Sequence, residues 1–378
     1  MPFQIKSLIH TIFILSLLVG AQLVQANSGK AFSIKGKVTI NDERLTLATQ
    51  IKEGDVIKTG ADSAVKVIMK DGTVLDILEN SGFKITKYAY NKEAPEDSQS
   101  SFSILGGAFR YISGLIAKKD PTKVQLSAGT ATIGIRGTFV SVNYTGLTTQ
   151  EQAKEAINNA SKTVDSAPTT LVVKSSIGTA QIRFADGTTL NVATGTSGTA
   201  NLSTGATTVN ANPASDPIAA AAAAIANDPT AAAAALEGMS DAQAALVMAT
   251  LINNASALGA TTAGITAALG NAVAANPNLA TGLAYVASAV SPSNAAAFAG
   301  AIATAAPEQA AAIAEASSQG EELAPAPTIG TDGGSDFPLR TEIDIEGQDE
   351  VGDEVTTGSD SGTPLTTEQT AEILNSQS

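Results

Sequence analysis

Four groups in this 378-residue chain have types and spacings that invite chemistry: the pairs Ser63/Lys66 and Ser81/Lys84, and the arginines Arg110 and Arg136. Ser-x-x-Lys is a nucleophile–base spacing that works at a helix start, where an offset of three brings both side chains to one face. The residues around both pairs alternate as strands do, and there the same offset puts them on opposite faces. The chain has no cysteine and a single histidine, His10. Beyond residue 26 it therefore lacks the commonest general base, the commonest metal ligands and both familiar triads. Paired carboxylates could still hydrolyse glycosides, but no motif marks such a pair. The expectation is a non-enzymatic protein with no catalytic, cofactor-binding or metal residues.

The arginines stand among residues suited to a pleated, half-buried surface. Ala128 to Tyr144 reads AGTATIGIRGTFVSVNY, with Ile135, Arg136, Gly137 and Thr138 at its centre. A guanidinium buried there without a partner would be costly. Two roles are open. If Arg110 and Arg136 face one groove, they could grip a carboxylate or sulfate on an envelope polysaccharide. If they point inward, each pairs with a backbone carbonyl or an acid such as Asp55 or Asp76 and fixes strand register, which burial favours.

The surrounding pattern from Lys30 to Val209 is one of short strands separated by Gly, Asn and Asp. Asn41-Asp42 and Gly54-Asp55 read as turns. Asp71-Gly72 between Ala64–Met69 and Thr73–Leu78 reads as a type I′ hairpin, with both central residues at positive φ. Residues 180–192 can be laid over 65–77 with Asp-Gly-Thr and the following Leu in register, which suggests two hairpins of one design.

Four blocks in order resemble the FecR-type periplasmic domain: Gly54-Asp55 with Thr59, Asp71-Gly72-Thr73, Gly106-Gly107-Ala108-Phe109-Arg110, and the Ile135-Arg136-Gly137-Thr138 core. The likeness spans about Ala31 to Thr199. It implies a mainly-β domain of short antiparallel strands in a Gram-negative envelope, periplasmic or at the cell surface, with envelope proteins or polysaccharides as partners. Thr148 to Pro168 departs from the pattern, since a capping box at Thr148–Glu151 opens a helical insertion there. In the family's namesake a segment that contacts a sigma factor and a membrane span precede the domain. Neither is read ahead of residue 27 here, so the signalling role is not expected to carry over unchanged.

Residues 1–26 read as a signal peptide, with Lys6, an apolar run from Thr11 to Val24 and cleavage between Ala26 and Asn27. No stable transmembrane span is expected after cleavage. The β domain is placed at 27–210, with the insertion at 148–168. From 211 to 320 the chain is an alanine-rich array, with helix starts near 216, 228, 240, 261, 276, 291 and 306, five of them signalled by Asp, Asn or Ser before Pro or by the box Ser240–Gln243. Alanine helices this short need neighbours, and a sparse apolar stripe favours a packed stack over a fluctuating spacer. Residues 321–378 read as a disordered acidic tail. Net charge is +5 over 1–210, −6 over 211–320 and −13 over 321–378, recovering the total of −14. With no basic stripe, nucleic acid is not an expected partner. The expected function is a protein- or glycan-binding or assembly module, with a periplasmic sensor as the alternative.

Overall fold

The computed structural model describes residues 27–145, 170–211 and 216–323. The expected signal peptide, the insertion at 148–168 and the tail beyond residue 323 lie outside the described residues, as does Ala26 of the cleavage pair. Strands β1 (Gly29–Lys35), β2 (Val38–Ile40), β3 (Glu43–Arg44), β4 (Gln50–Ile51), β5 (Val56–Thr59), β6 (Ala64–Met69), β7 (Val74–Ile77) and β8 (Gly82–Ala89) come first. The long strands β9 (Gln99–Ile112), β11 (Ala131–Thr145) and β12 (Thr170–Arg183) follow, with β10 (Val124–Ala128), β13 (Thr189–Val192), β14 (Thr196–Asn201) and β15 (Thr207–Ala211) beside them. A short helix, α1 (Leu115–Lys119), leaves β9. All pairings are antiparallel except β9 with β10.

The three long strands change partners, and which face each residue lines, at glycines. On β11, Ile133 and Ile135 face the strand core, whereas after Gly137 (φ +55°) it is Val140, Val142 and Tyr144 that do so. The cause is a β-bulge: Arg136 pairs with Thr179 but Phe139 with Ile177, so β11 carries one extra residue. β12 takes up its own extra residue one pair later, near Gly178, where the Ser175 hydroxyl donates to the Gly178 carbonyl at 2.8 Å. β9 flips between Ile104 and Phe109 across Gly107 (φ +88°), where a Cβ would lie 2.2 Å from the Ser81 Oγ. Each flip exchanges the two alternate sets of residues between the faces of the strand, so that the strand core is met by one set before the glycine and by the other after it.

The second core is helical. The array contains α2 (Pro217–Asn227), α3 (Ala232–Ala235), α4 (Asp241–Asn253), α5 (Ala255–Leu258), α6 (Thr262–Ala275), α7 (Ala280–Val290), α8 (Ala295–Ala305) and α9 (Ala310–Glu322). Asp216, Asp228, Ser240, Thr261 and Asn276 each cap a helical segment through their side chains, and Ser240 with Gln243 forms the full capping box. Four segments enter through a 3₁₀ turn beginning at proline, since proline's fixed φ suits a first turn and its missing N–H is no loss there. The helices form a packed stack around α7, in which Leu283, Tyr285 and Val286 are buried. Buried Ser288 and Ser317 meet at 2.8 Å between α7 and α9.

The stack lies on the sheet. Ile68, Val74, Ile112, Phe139 and Ile177 stand directly opposite one another on β6, β7, β9, β11 and β12, forming a continuous apolar row. All five, with Phe32, belong to the same buried cluster as the helices. The apolar density of the Phe139–Val140 region follows: Phe139 supports the helices and Val140 the strand core, both fully buried.

Candidate functional site

The Asp71-Gly72-Thr73 hairpin does not close through the two-residue turn expected from the sequence. Asp71 is not at positive φ; Gly72 alone is, at +77°. The Gly72 N–H donates to the Met69 carbonyl and the Met69 N–H to that of Thr73, so the connection is a three-residue turn closed by a glycine bulge instead of type I′. The type I′ geometry occurs at Asn41-Asp42 between β2 and β3, where both residues have positive φ. The second hairpin, at Asp186-Gly187-Thr188, repeats the bulged turn bond for bond, with Phe184 in place of Met69. Its surroundings differ. Asp186 is exposed, whereas Asp71 is fully buried.

Four donors converge on the buried Asp71 carboxyl: the Thr73 amide (3.1 Å) and hydroxyl (2.8 Å), the Tyr88 hydroxyl (3.0 Å) and the Ile116 amide (3.3 Å). Burial pushes the Asp71 carboxyl above its ordinary range, while these bonds pull it back. Tyr88 and Tyr111 beside it are pushed well up by burial and by the Asp71 charge. The chain between β9 and α1 crosses the turn so closely that a Cβ on Gly114 would lie 2.3 Å from the Thr73 nitrogen. The helices reach the same turn. Asn253, at the end of α4, donates to the Gly72 carbonyl at 2.8 Å and accepts from the Lys118 ammonium at 2.9 Å. Burial lowers Lys118 to about 8, partly offset by Asp71.

Two residues along from the apolar row runs a polar one. Lys66, Asp76, Arg110, Ser141 and Lys174 pair in sequence across β6, β7, β9, β11 and β12. Arg110 donates to Asp76 at 2.7 Å and to Asp216 at 2.8 Å. Asp216 also accepts from Ser141 at 3.1 Å while capping α2 through Ile218. Burial alone would lower the Arg110 pKa, but the two carboxylates outweigh it and hold the guanidinium charged. Lys66 approaches the other Asp76 oxygen at 3.4 Å, an ion-pair distance without hydrogen-bond geometry. Asp76 is thus the expected acid for Arg110, and Asp216 is a partner that only the folded chain reveals.

Arg136 departs from the inward, paired role. It is exposed and sits on the outer face of β11, because Ile135 beside it takes the core side. Nor do the two arginines share a groove. Arg110 lines a pocket of about 350 Å³ with Asn143, Lys174 and Asp216, and Arg136 a separate trough of about 660 Å³. Ile135 is buried, Gly137 forms the bulge, and Thr138 lies within it on β11. Gly54 (φ +91°) and Asp55 form the β4–β5 turn, with Asp55 accepting from the Lys52 amide and the Asn41 side chain. Neither touches Arg110 or Asp71. Ser63 and Ser81 hold backbone groups at strand starts, where each accepts from an amide, Lys37 and Ala108 respectively. Among the described residues, no group of three or more His, Asp or Glu is placed to hold a metal ion. No helix among them is long and apolar enough to cross a membrane.

A strand-rich module with its key turn buried under a helical cap is the class of protein these features define. Residues 55–154 match the family model described as FecR protein, so the chain contains a FecR-type domain over about a quarter of its length. The matched interval is narrower than the resemblance read from Ala31 to Thr199. No curated protein matches the chain. Two crystal structures of a proposed anti-sigma factor from Parabacteroides distasonis ATCC 8503, at 2.50 and 1.65 Å, align at 11% identity with a TM-score of 0.31. The alignment with the first covers 44% of this chain and 62% of that one, so the chain spans less than two thirds of its length.

Proposed function

We propose that this protein is a non-enzymatic regulatory module of the bacterial envelope, whose FecR-type domain reads the state of a partner protein and whose helical array responds. The observation that carries this reading is the joint between the two. The Gly72 carbonyl and Arg110, both inside the FecR-type segment, are the groups that hold α4 and the start of α2. A partner that shifts the strands would shift the helix contacts with them. FecR-type regulators work through protein partners, which favours a sensor over a passive assembly module. Residues 1–26 would export the chain to the periplasm or cell surface.

The docking edge in this reading is β15. Thr207–Ala211 pairs with β14 on one side, and all five residues are exposed. It carries no charge, proline or bulge of the kind that blocks strand addition. A photo-crosslinking residue at Thr208 in the tagged full-length protein should capture one envelope protein in cells. Binding of that protein should change amide exchange in α4 and α7, and Asn253→Ala should remove the change while leaving the crosslink. Recovery of glycan alone, or a partner whose binding leaves helical exchange untouched, would sink the regulatory reading.

A further inference from the structure

The trough around Arg136 is separate from the helix–sheet joint, so what it does can fail or hold independently of the regulatory reading. Its floor is the outer face of β11 and β12, where Thr132 pairs with Arg183, Gly134 with Gln181 and Arg136 with Thr179. Ile133, Ile135, Ala180 and Ile182 alternate with these and are buried in the strand core. That anchoring obliges both arginines to face out on rigid backbone. Gly134 leaves the middle of the floor low: a Cβ there would meet only the Gln181 carbonyl, at 3.9 Å. Gln125 on β10 and Asn191 on β13 form opposite walls, and Gln181 donates to Asn191 at 2.8 Å.

The chemistry of this lining is one-sided. It contains two arginines and no carboxylate, in a chain whose net charge is −14. Neither Arg136 nor Arg183 forms an ion pair among the described residues, whereas Arg110 takes two carboxylates. Asp120, near the rim, is engaged by Thr122. The other polar lining groups are amides and hydroxyls, which can donate and accept and so suit a polyhydroxylated ligand. Four residues of strand separate the rows holding the two arginines, about 13 Å, so a single small anion would not engage both at its centre. A nucleic acid would require more basic contacts and stacking aromatics, and the lining has no aromatic residue.

We propose that the trough binds an acidic polysaccharide laid along β11 and β12. Arg136 and Arg183 each hold a uronate carboxylate through paired N–H bonds, and Gln125, Gln181, Asn191 and Thr179 bond the sugar hydroxyls. The full-length protein should bind oligogalacturonate in titration calorimetry and should not bind neutral dextran. Arg136→Gln and Arg183→Gln should each weaken binding about tenfold or more, as expected for loss of a charge-assisted pair, and the double variant should abolish it. Both side chains are exposed, so melting temperatures should stay at the wild-type value. Gln181→Ala, which leaves the charge intact, should also weaken binding. Absence of oligogalacturonate binding, full binding by the double variant, or equally tight binding of poly-glutamate would each overturn the proposal, the last by making the trough an acidic-peptide site.

Discussion

Arg110 joins two carboxylates that lie 140 positions apart in the chain. It ties β7, β9 and the cap of α2 together through Asp76 and Asp216. Asp76 is 1% exposed, so Arg110→Ala would strand a buried carboxylate with only the non-hydrogen-bonded Lys66 nearby. Breaking a buried pair from one side costs about 3–5 kcal/mol, and urea unfolding of Arg110→Ala should show a loss of that order. Arg110→Lys, which can reach one carboxylate well but not both, should fall between. Asp71 makes a pH-dependent contribution. Its folded pKa is raised, so the native state binds more protons than the unfolded state once pH passes the unfolded value near 3.8. Its contribution to stability is therefore greatest below that value and declines as pH rises through the folded pKa. The stability difference between wild type and Asp71→Asn, followed by denaturation from pH 3 to 7, should shift in the mutant's favour as pH rises. A difference that is flat with pH would show that Asp71 does not titrate in this window.

Among the elements, the bulge in β11 decides which side chains reach which core. Gly137 has φ +55° and open space where a Cβ would go, so the penalty for replacing it is backbone conformation alone. Gly137→Val should cost about 1–3 kcal/mol, the range for a non-glycine residue held in a sparsely populated conformation, and thermal melting would measure it. Removal of Phe139 should act on two elements at once. It is the one aromatic member of the apolar row beneath the helices, and Phe139→Ala should cost about 3–5 kcal/mol. Amide exchange in α4 and α7 should rise more than in β13 or β14, which take no part in the row. Uniform loss of protection would mean that the helices do not rest on this row.

At the scale of the whole molecule, two cores share the long strands, and the Asp71 turn sits where they meet. Lys118 reports on that junction through Asn253. Its folded pKa of about 8 lies below the ordinary 10.5, so the unfolded chain binds the extra proton between these values. Stability should therefore gain from Lys118 as pH rises from about 8 to 10.5, and Lys118→Met should remove that gain while leaving the profile below pH 7 little changed. Chemical denaturation across this range would test it.

The local devices were legible in the sequence because each is a short-range interaction. Asp216, Asp228, Ser240, Thr261 and Asn276 announce helix starts by bonding amides two or three residues away, and the four ordered blocks carried the FecR-type domain. Asp76 was also a foreseeable partner for Arg110. The inward role that burial favoured for Arg136 fails because Arg136 alternates with buried Ile135 and so faces outward, while the run around it is dense because two cores divide it after the bulge. What tertiary structure alone decided is burial. Asp71 and Asp186 head the same three-residue sequence and make the same turn, yet one lies under a helical stack and the other in solvent. The turn is set by bonds within five residues, which Asp-Gly-Thr specifies in both places. The burial of Asp71 depends on Gly114, Lys118 and Asn253, residues 43 to 182 positions away, and no local pattern encodes which of two identical turns they will cover.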